Sequence, residues 1–276
     1  MNFYKKLKDH KNYHMVMGIV NLTPDSFYDG GKYNTPKDAV KYISKIIKQG
    51  ADIIDIGAMS SRPGSLPISL KEEEKRLLSV LEIIRNKFPE IIISIDTYRH
   101  EIAEQSIKYG ANIINDIYVD HNKEKMWNII QKYNTPYIMM HMQGNPTNMQ
   151  TKIHYENFKK DVLKFFNKRV RSLKKRGFEQ IIIDPGFGFG KTIQQNYQLI
   201  NIIDNLKDFQ LPILIGVSRK SMISQGIDAP VHKTLSGTIT ANTICLMKGA
   251  QIIRVHDIKE AKETIKIYEL YETNKT

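Results

Sequence analysis

Short apolar runs alternate along this chain with longer stretches whose apolar positions recur every three or four residues. The runs predict strands at 15–20, 52–56, 91–95, 112–117, 137–140, 180–183, 212–217 and 251–255. Helical periodicity predicts helices at 36–49, 70–88, 100–109, 123–133, 192–206, 235–248 and 258–271, with a further amphipathic stretch at 158–176. Strand and helix alternating about eight times predict a single α/β domain over 1–276, a (β/α)8 TIM barrel with its active site at the C-terminal ends of the strands. A doubly wound sheet is the structural alternative. It would more often carry a Gly-rich turn after the first strand, where this chain reads Asn21-Leu-Thr-Pro-Asp-Ser26.

The polar residues at the strand ends narrow the reading. Asn21 comes after the first strand, Ser60, Ser61 and Arg62 after the second, Asp96 after the third, and Asn115 with Asp116 closes the fourth. His141 and Gln143 come after the fifth, Asp184 after the sixth, Ser218, Arg219 and Lys220 after the seventh, and Arg254 with His256 ends the eighth. In a barrel these positions converge on one face. For Asp116 or Ser218 taken alone, a cap or a satisfied core polar group is the better explanation. Polar groups at all eight ends are not explained that way.

Composition adds mostly exclusions. The 276 residues carry 41 Lys and Arg against 29 Asp and Glu, a net charge of +12. The densest basic run, Lys159 to Arg176, interleaves with apolar residues at helical spacing, which is the solvated side of a surface helix. No nucleic-acid partner is expected from it. No apolar stretch reaches the 18 residues a membrane span needs, and the first fourteen residues lack the apolar core of a secretory signal. The lone cysteine, Cys245, cannot form an internal disulfide and sits among apolar residues mid-helix, so a reducing cytoplasm is the expected compartment.

The strand-end residues fall into two chemical classes. Arg62, Arg254, His256 and Lys220 can be cationic, and Asn21 offers a neutral oxygen, a set that suits a phosphorylated ligand and a bridging Mg²⁺. Asp96, Asn115 and Asp184 are acceptors that suit a flat heterocycle rich in N–H donors, or else a structural ion pair. The stretch Asp184-Pro-Gly-Phe-Gly-Phe-Gly-Lys-Thr192 misses a phosphate-binding P-loop by one position, since Pro185 stands where the first glycine must be. It still predicts a tight turn with Phe187 and Phe189 free to flank a planar ligand. The polar loops at 23–31 and 60–67 have the length and the Pro and Gly content of lids. His141 and His256 do not form a zinc-type cluster with any neighbour in sequence.

These segments, in order and over nearly the whole chain, resemble the dihydropteroate synthase family. The resemblance rests on Gly18-Ile-Val-Asn-Leu-Thr-Pro-Asp-Ser-Phe-Tyr-Asp-Gly-Gly31, Asp55-Ile-Gly57, Ser61-Arg-Pro-Gly64, Ser94-Ile-Asp-Thr97, Asn115-Asp116, Met140-His-Met-Gln-Gly144, the glycine stretch from Asp184, Gly216-Val-Ser-Arg-Lys-Ser221 and Ile253-Arg-Val-His-Asp257. It implies a barrel that joins 6-hydroxymethyl-7,8-dihydropterin pyrophosphate to p-aminobenzoate, releasing pyrophosphate. It further implies that Asp96, Asn115, Asp184 and Lys220 hold the pterin, with Met139 and Phe189 near the ring. Asn21, Arg254 and His256 would hold the pyrophosphate and its Mg²⁺, with Asn21 as the metal ligand. Ser61, Arg62 and Pro63 would close over the site, and Ser221 would meet the aminobenzoate carboxylate. Asp96, Lys220, Arg254 and His256 would be the catalytic set, in a homodimer. One departure stands out: Met59 and Ser61 occupy positions where the family commonly has Glu and Thr. The competing expectations are a pterin-binding methyltransferase of the same fold, which has no use for a diphosphate clamp, and a nucleic-acid-binding protein, which leaves the strand ends unexplained.

Overall fold

The computed structural model describes residues 3–9, 13–23, 35–59, 68–151 and 153–275. Its strands are β1 (Met15–Asn21), β2 (Ile53–Gly57), β3 (Ile92–Asp96), β4 (Ile113–Asp116), β5 (Tyr137–Met140), β6 (Ile181–Asp184), β7 (Leu214–Ile215) and β8 (Ile252–Val255). The helices are α1 (Phe3–Asp9), α2 (Pro36–Lys48), α3 (Leu70–Lys87), α4 (His100–Lys108), α5 (Lys123–Lys132), α6 (Phe158–Lys175), α7 (Ile193–Leu206), α8 (Ser221–Gly226), α9 (Leu235–Met247) and α10 (Ile258–Thr273). Every strand pairs in parallel with its neighbour from β1 to β6, β7 pairs β8, and β8 returns to β1 with Met15 opposite Ile252. A parallel bridge between Ile183 and Ile213 joins the last two edges. The sheet therefore closes, as the (β/α)8 barrel predicted from the alternation requires.

Side-chain alternation sorts the strands into two cores. One face of each strand packs outward against the helices, in a layer that includes Ile54, Ile93, Ile114, Tyr137, Met139, Ile183 and Phe166. The other face fills the barrel with Met15, Met17, Ile53, Ile113, Ile138, Ile182, Leu214 and Ile252. Tyr4 and Leu7 belong to this inner cluster, so α1 plugs the N-terminal mouth. The Tyr4 hydroxyl donates to the Glu179 carbonyl at 2.6 Å and Gln251 donates to the Leu7 carbonyl, which fastens the plug to the ends of β6 and β8. With the bottom filled by hydrocarbon, the polar residues at the opposite ends of the strands face the one open mouth.

Helix starts follow local chemistry. Thr35, Ser69 and Asn157 each accept a backbone N–H of the first turn of α2, α3 and α6, and Thr192 forms a reciprocal capping box with Gln195 at α7. The basic stretch folds as α6 with Val162, Phe166, Val170 and Leu173 buried and Lys164, Lys168, Arg171, Lys174 and Lys175 exposed. Among the described residues no helix is long and apolar enough to cross a membrane. Strand β7 is shorter than its apolar run predicts, because after Gly216 the chain turns away from the sheet and the Lys220 N–H closes a turn on the Val217 carbonyl at 3.2 Å.

Candidate active site

At the C-terminal mouth lies a cavity of about 740 Å³, lined among others by Asn21, Phe189, Lys220, Ser221, Arg254 and His256. Six residues predicted from sequence thus meet around one space. Asn21 ends β1, Arg254 lies in β8, and Ser221 opens α8. Ser61, Arg62 and Pro63, together with most of the first polar loop, lie outside the described residues.

Beneath the cavity the inward faces of β2, β3, β4 and β8 turn polar. Arg254 donates from Nε to Asp55 at 2.7 Å and from Nη2 to Asp96 at 3.0 Å. Asp55 has no exposed side-chain surface and accepts two further bonds, from the Ser94 hydroxyl at 2.6 Å and from Asn115 Nδ2 at 3.0 Å. Burial pushes the Asp96 carboxyl up to about 7, and the negative charge of Asp55 adds to the rise while Arg254 opposes it. Burial by itself would lower the Arg254 pKa, but Asp55 and Asp96 raise it above the ordinary value, so the guanidinium stays charged. Two carboxylates and one cation in so dry a place leave room for a donor-bearing ligand at Asp96. The Asn115 Oδ1 is buried and has no partner among the described residues, so it too is an acceptor in want of a donor.

On the other side of the barrel the glycine stretch forms the connection from β6 to α7. Gly186, Gly188 and Gly190 all adopt positive φ, at 72°, 79° and 60°. A Cβ on Gly186 would stand 2.0 Å from the His141 carbonyl oxygen, so only glycine fits. Lys191 is buried and donates to the carbonyls of His141, Gly186 and Phe189 at 3.1, 2.8 and 2.9 Å. The lysine that gives this stretch its phosphate-loop look therefore staples the loop to itself and to the end of β5. Phe187 is fully buried in the outer core, so of the two aromatics expected to flank a planar ligand only Phe189 reaches the cavity. Lys220 donates to the Phe187 carbonyl and sits 4.7 Å from the centre of the Phe189 ring. Burial lowers its pKa to about 8, against the pull of Asp184 and Asp96 and with the repulsion of Arg254. Asp184, raised chiefly by burial and lowered in part by Lys220, accepts the Gly186 N–H at 2.8 Å.

His256 is expected from sequence to be cationic or potentially so. Burial, with Arg254 and Arg219 nearby, lowers its pKa to about 3, so near neutrality it is uncharged. The Ser218 hydroxyl oxygen accepts the His256 backbone N–H at 3.3 Å and lies 3.1 Å from Nδ1. That contact holds Nδ1 beside the hydroxyl, and His256 contributes a neutral, oriented hydrogen-bonding ring in place of a charge. Arg219 pairs with both oxygens of Asp257, at 2.7 and 2.8 Å, bracing the turns after β7 and β8.

Other expectations sort by register. Met139 packs in the outer layer, in a strand whose inward residues are Ile138 and, by alternation, Met140; the methionine of the inner face is the neighbour of the one predicted. Asp116 accepts from the Tyr137 hydroxyl at 2.6 Å and the Tyr118 N–H at 2.9 Å, the structural role expected of it. Gln143 pairs with the His154 backbone, and buried His141 packs on the edge of Phe165. Met59, at the position where Glu is common, receives the Tyr98 hydroxyl at 3.5 Å. Sequence reasoning missed Asp55 and Ser94 as members of the polar floor. Their signal is parity: Asp55 stands two residues before the end of β2 and Ser94 two before the end of β3, facing the same way as Gly57 and Asp96.

The pterin-binding enzyme family model matches residues 17–256 of this chain. The dihydropteroate synthase of Escherichia coli strain K12 is 42% identical over 256 residues, covering 92% of this chain and 90% of its own. The Yersinia pestis dihydropteroate synthase, solved with a sulfonamide drug complex, superposes with a TM-score of 0.89 at 38% identity, covering 95% of both chains. The Xanthomonas albilineans dihydropteroate synthase, solved with 4-aminobenzoic acid, gives a TM-score of 0.87 at 30% identity, covering 96% of this chain and 95% of its own.

Proposed function

The chain belongs to the pterin-binding enzymes and, within them, to the dihydropteroate synthases, and on that premise we propose how its residues divide the work. The enzyme is a transferase of folate biosynthesis that condenses 6-hydroxymethyl-7,8-dihydropterin pyrophosphate with p-aminobenzoate to give 7,8-dihydropteroate and pyrophosphate. Asp96, Asn115 and Asp184 accept the N–H groups of the pterin, and Phe189 and Lys220 cover it. The observation that carries the division is Arg254, bonded on one side to the carboxylates of the floor and lining the cavity on the other. It stands where the pterin ends and the diphosphate begins.

The reaction breaks the bond between the pterin methylene and the diphosphate oxygen, whose electron pair leaves with pyrophosphate, and forms one from the methylene to the aryl amine nitrogen, which gives up one proton to solvent. An aryl amine is a modest nucleophile, so charge separates early: the methylene gains positive character and the leaving group negative. The Asp96 carboxylate offsets the first, and Arg254 with a ring N–H of the neutral His256 meets the second. Asn21, which brings one neutral oxygen to the cavity at the end of β1, would hold a Mg²⁺ there. When bound there, the ion supplies charge neutralisation of the diphosphate. Ser221, at the start of α8 on the cavity wall, faces the aminobenzoate carboxylate.

The enzyme works as a homodimer in the cytoplasm. The packed pair α9 and α10 exposes Ile244, Met247, Ile267, Leu270 and Tyr271, apolar surface that a second copy would cover. Cys245, buried and unpaired, suits a reducing compartment. The mechanism is tested by following pyrophosphate release with and without p-aminobenzoate. Slow release without the amine, giving 6-hydroxymethyl-7,8-dihydropterin from water, supports charge separation ahead of attack. Pterin loss strictly first order in the amine at every concentration overturns it.

A further inference from the structure

Asp55 has no place in that division of labour, yet more of the polar floor converges on it than on any of the residues assigned a role. Its carboxylate is fully buried and receives the Ser94 hydroxyl on Oδ1 and both Asn115 Nδ2 and Arg254 Nε on Oδ2. The donors come from three different strands, β3, β4 and β8. We infer that Asp55 is a positioning residue that selects the ligand: it fixes which end of the Asn115 amide faces the pterin and which edge of Arg254 is left for the diphosphate.

A side-chain amide offers an acceptor at one end and two donors at the other, and a half-turn about its last bond exchanges them. A carboxylate only accepts. Asp55 therefore holds the NH₂ end of Asn115 and leaves Oδ1, which is buried without a partner among the described residues. Asn115 is buried beneath the cavity that Arg254 lines, so a ligand that reaches down to this floor must bring an N–H to that position and not a lone pair. The same logic orients Arg254. Its Nε and Nη2 point at Asp55 and Asp96, which turns the remaining N–H groups of the five away from the two carboxylates, on a residue that lines the cavity. Replacing Asp55 by the isosteric asparagine keeps the shape but supplies a group that can accept or donate, so the Asn115 amide is free to take either orientation.

This inference rests on reading the pocket as a pterin site. The experiment measures binding of 6-hydroxymethyl-7,8-dihydropterin by calorimetry, beside three analogues that each lack one donor group: the 3-N-methyl compound without N3–H, the 2-desamino compound without the NH₂ and the 8-deaza compound without N8–H. The wild type is expected to lose roughly tenfold or more in affinity for at least one analogue. Asp55→Asn is expected to shrink that loss to about threefold or less, while Ser94→Ala, which leaves the bonds to Asn115 and Arg254 in place, retains it. Equal discrimination by Asp55→Asn and wild type, or a uniform weakening of all four ligands, overturns the role. Isotope-labelled wild type gives a second reading that needs no variant: pterin binding should shift the Asn115 Cγ resonance, as a carbonyl that gains a hydrogen bond does, and leave Nδ2 little changed, whereas a large shift of Nδ2 with Cγ unmoved overturns the inference. Wild type that binds no pterin at all contradicts the functional reading instead.

Discussion

Replacing Gly186 by alanine separates two physical effects that glycine avoids. At φ +72° an alanine is strained by about 1–2 kcal/mol. Its Cβ would also stand 2.0 Å from the His141 carbonyl oxygen, backbone that is itself tied to Lys191. Relieving such a contact by shifting packed backbone costs about 1–3 kcal/mol. Subtracting about 0.4–1 kcal/mol for the stiffer unfolded chain leaves a loss of roughly 1–4.5 kcal/mol, centred on about 3 kcal/mol. Gly177 is the matched control, since it has φ +76° and nothing within 4 Å of its would-be Cβ. Gly177→Ala should lose only about 0–1.5 kcal/mol, the strain less the entropy gain. In thermal unfolding Gly186→Ala should fall by roughly 5–15 °C and Gly177→Ala by no more than about 5 °C. Because the Gly186 N–H also holds Asp184, the first variant should raise the KM for the pterin substrate by roughly tenfold or more, and the second should leave it unchanged. Equal losses in the two variants would refute the steric half of this reasoning, and an unchanged KM in Gly186→Ala would refute the functional half.

The dependence of kcat/KM on pH should be bell-shaped. Asp96, with a pKa near 7 set by burial, by Asp55, Glu73 and Asp116 and against Arg254, must lose its proton to accept a pterin N–H, so activity climbs as pH rises toward 7. Lys220, with a pKa near 8, loses its charge above that value and activity falls again; a profile flat from pH 5 to 9 would contradict both assignments. Charging the exposed face of the last two helices, with Met247→Lys and Leu270→Glu together, should halve the mass measured by light scattering and leave circular dichroism intact. A wild type already at the mass of one chain would remove the dimer from the account.

The barrel was legible because the strands are Ile-rich runs of the right length at even intervals, and the polar strand ends identified the working face. The features that escaped have physical reasons. Strand β5 is apolar on both faces, so its sequence carries no alternation, and nothing in Tyr-Ile-Met-Met says which methionine points inward. Helix α1 offers only two buried side chains, Tyr4 and Leu7, in a basic segment, and its role exists only once a barrel mouth is there to receive them. The glycine and lysine spacing after β6 misses a phosphate loop at Pro185, but it does not show what the lysine does instead: Lys191 spends its donors on three carbonyls, a partnership set in part by distant backbone. The neutral state of His256 comes from desolvation and two nearby arginines, which no spacing encodes. Asp55 was readable by parity from Gly57, but an acidic residue inside an apolar run shows its purpose only when Ser94, Asn115 and Arg254 are seen converging on it.

The most direct measurement is the yield of dihydropteroate and pyrophosphate from dihydropterin pyrophosphate and p-aminobenzoate with Mg²⁺, comparing wild type with Asp96→Asn. The wild type should form the two products in equal amounts. In the variant, which keeps the shape of the floor and loses its charge, the rate should fall by roughly 100-fold or more, the range for removal of one group that stabilises a transition state. A folded wild type that makes no dihydropteroate, or a variant that makes it at the full rate, would contradict the account.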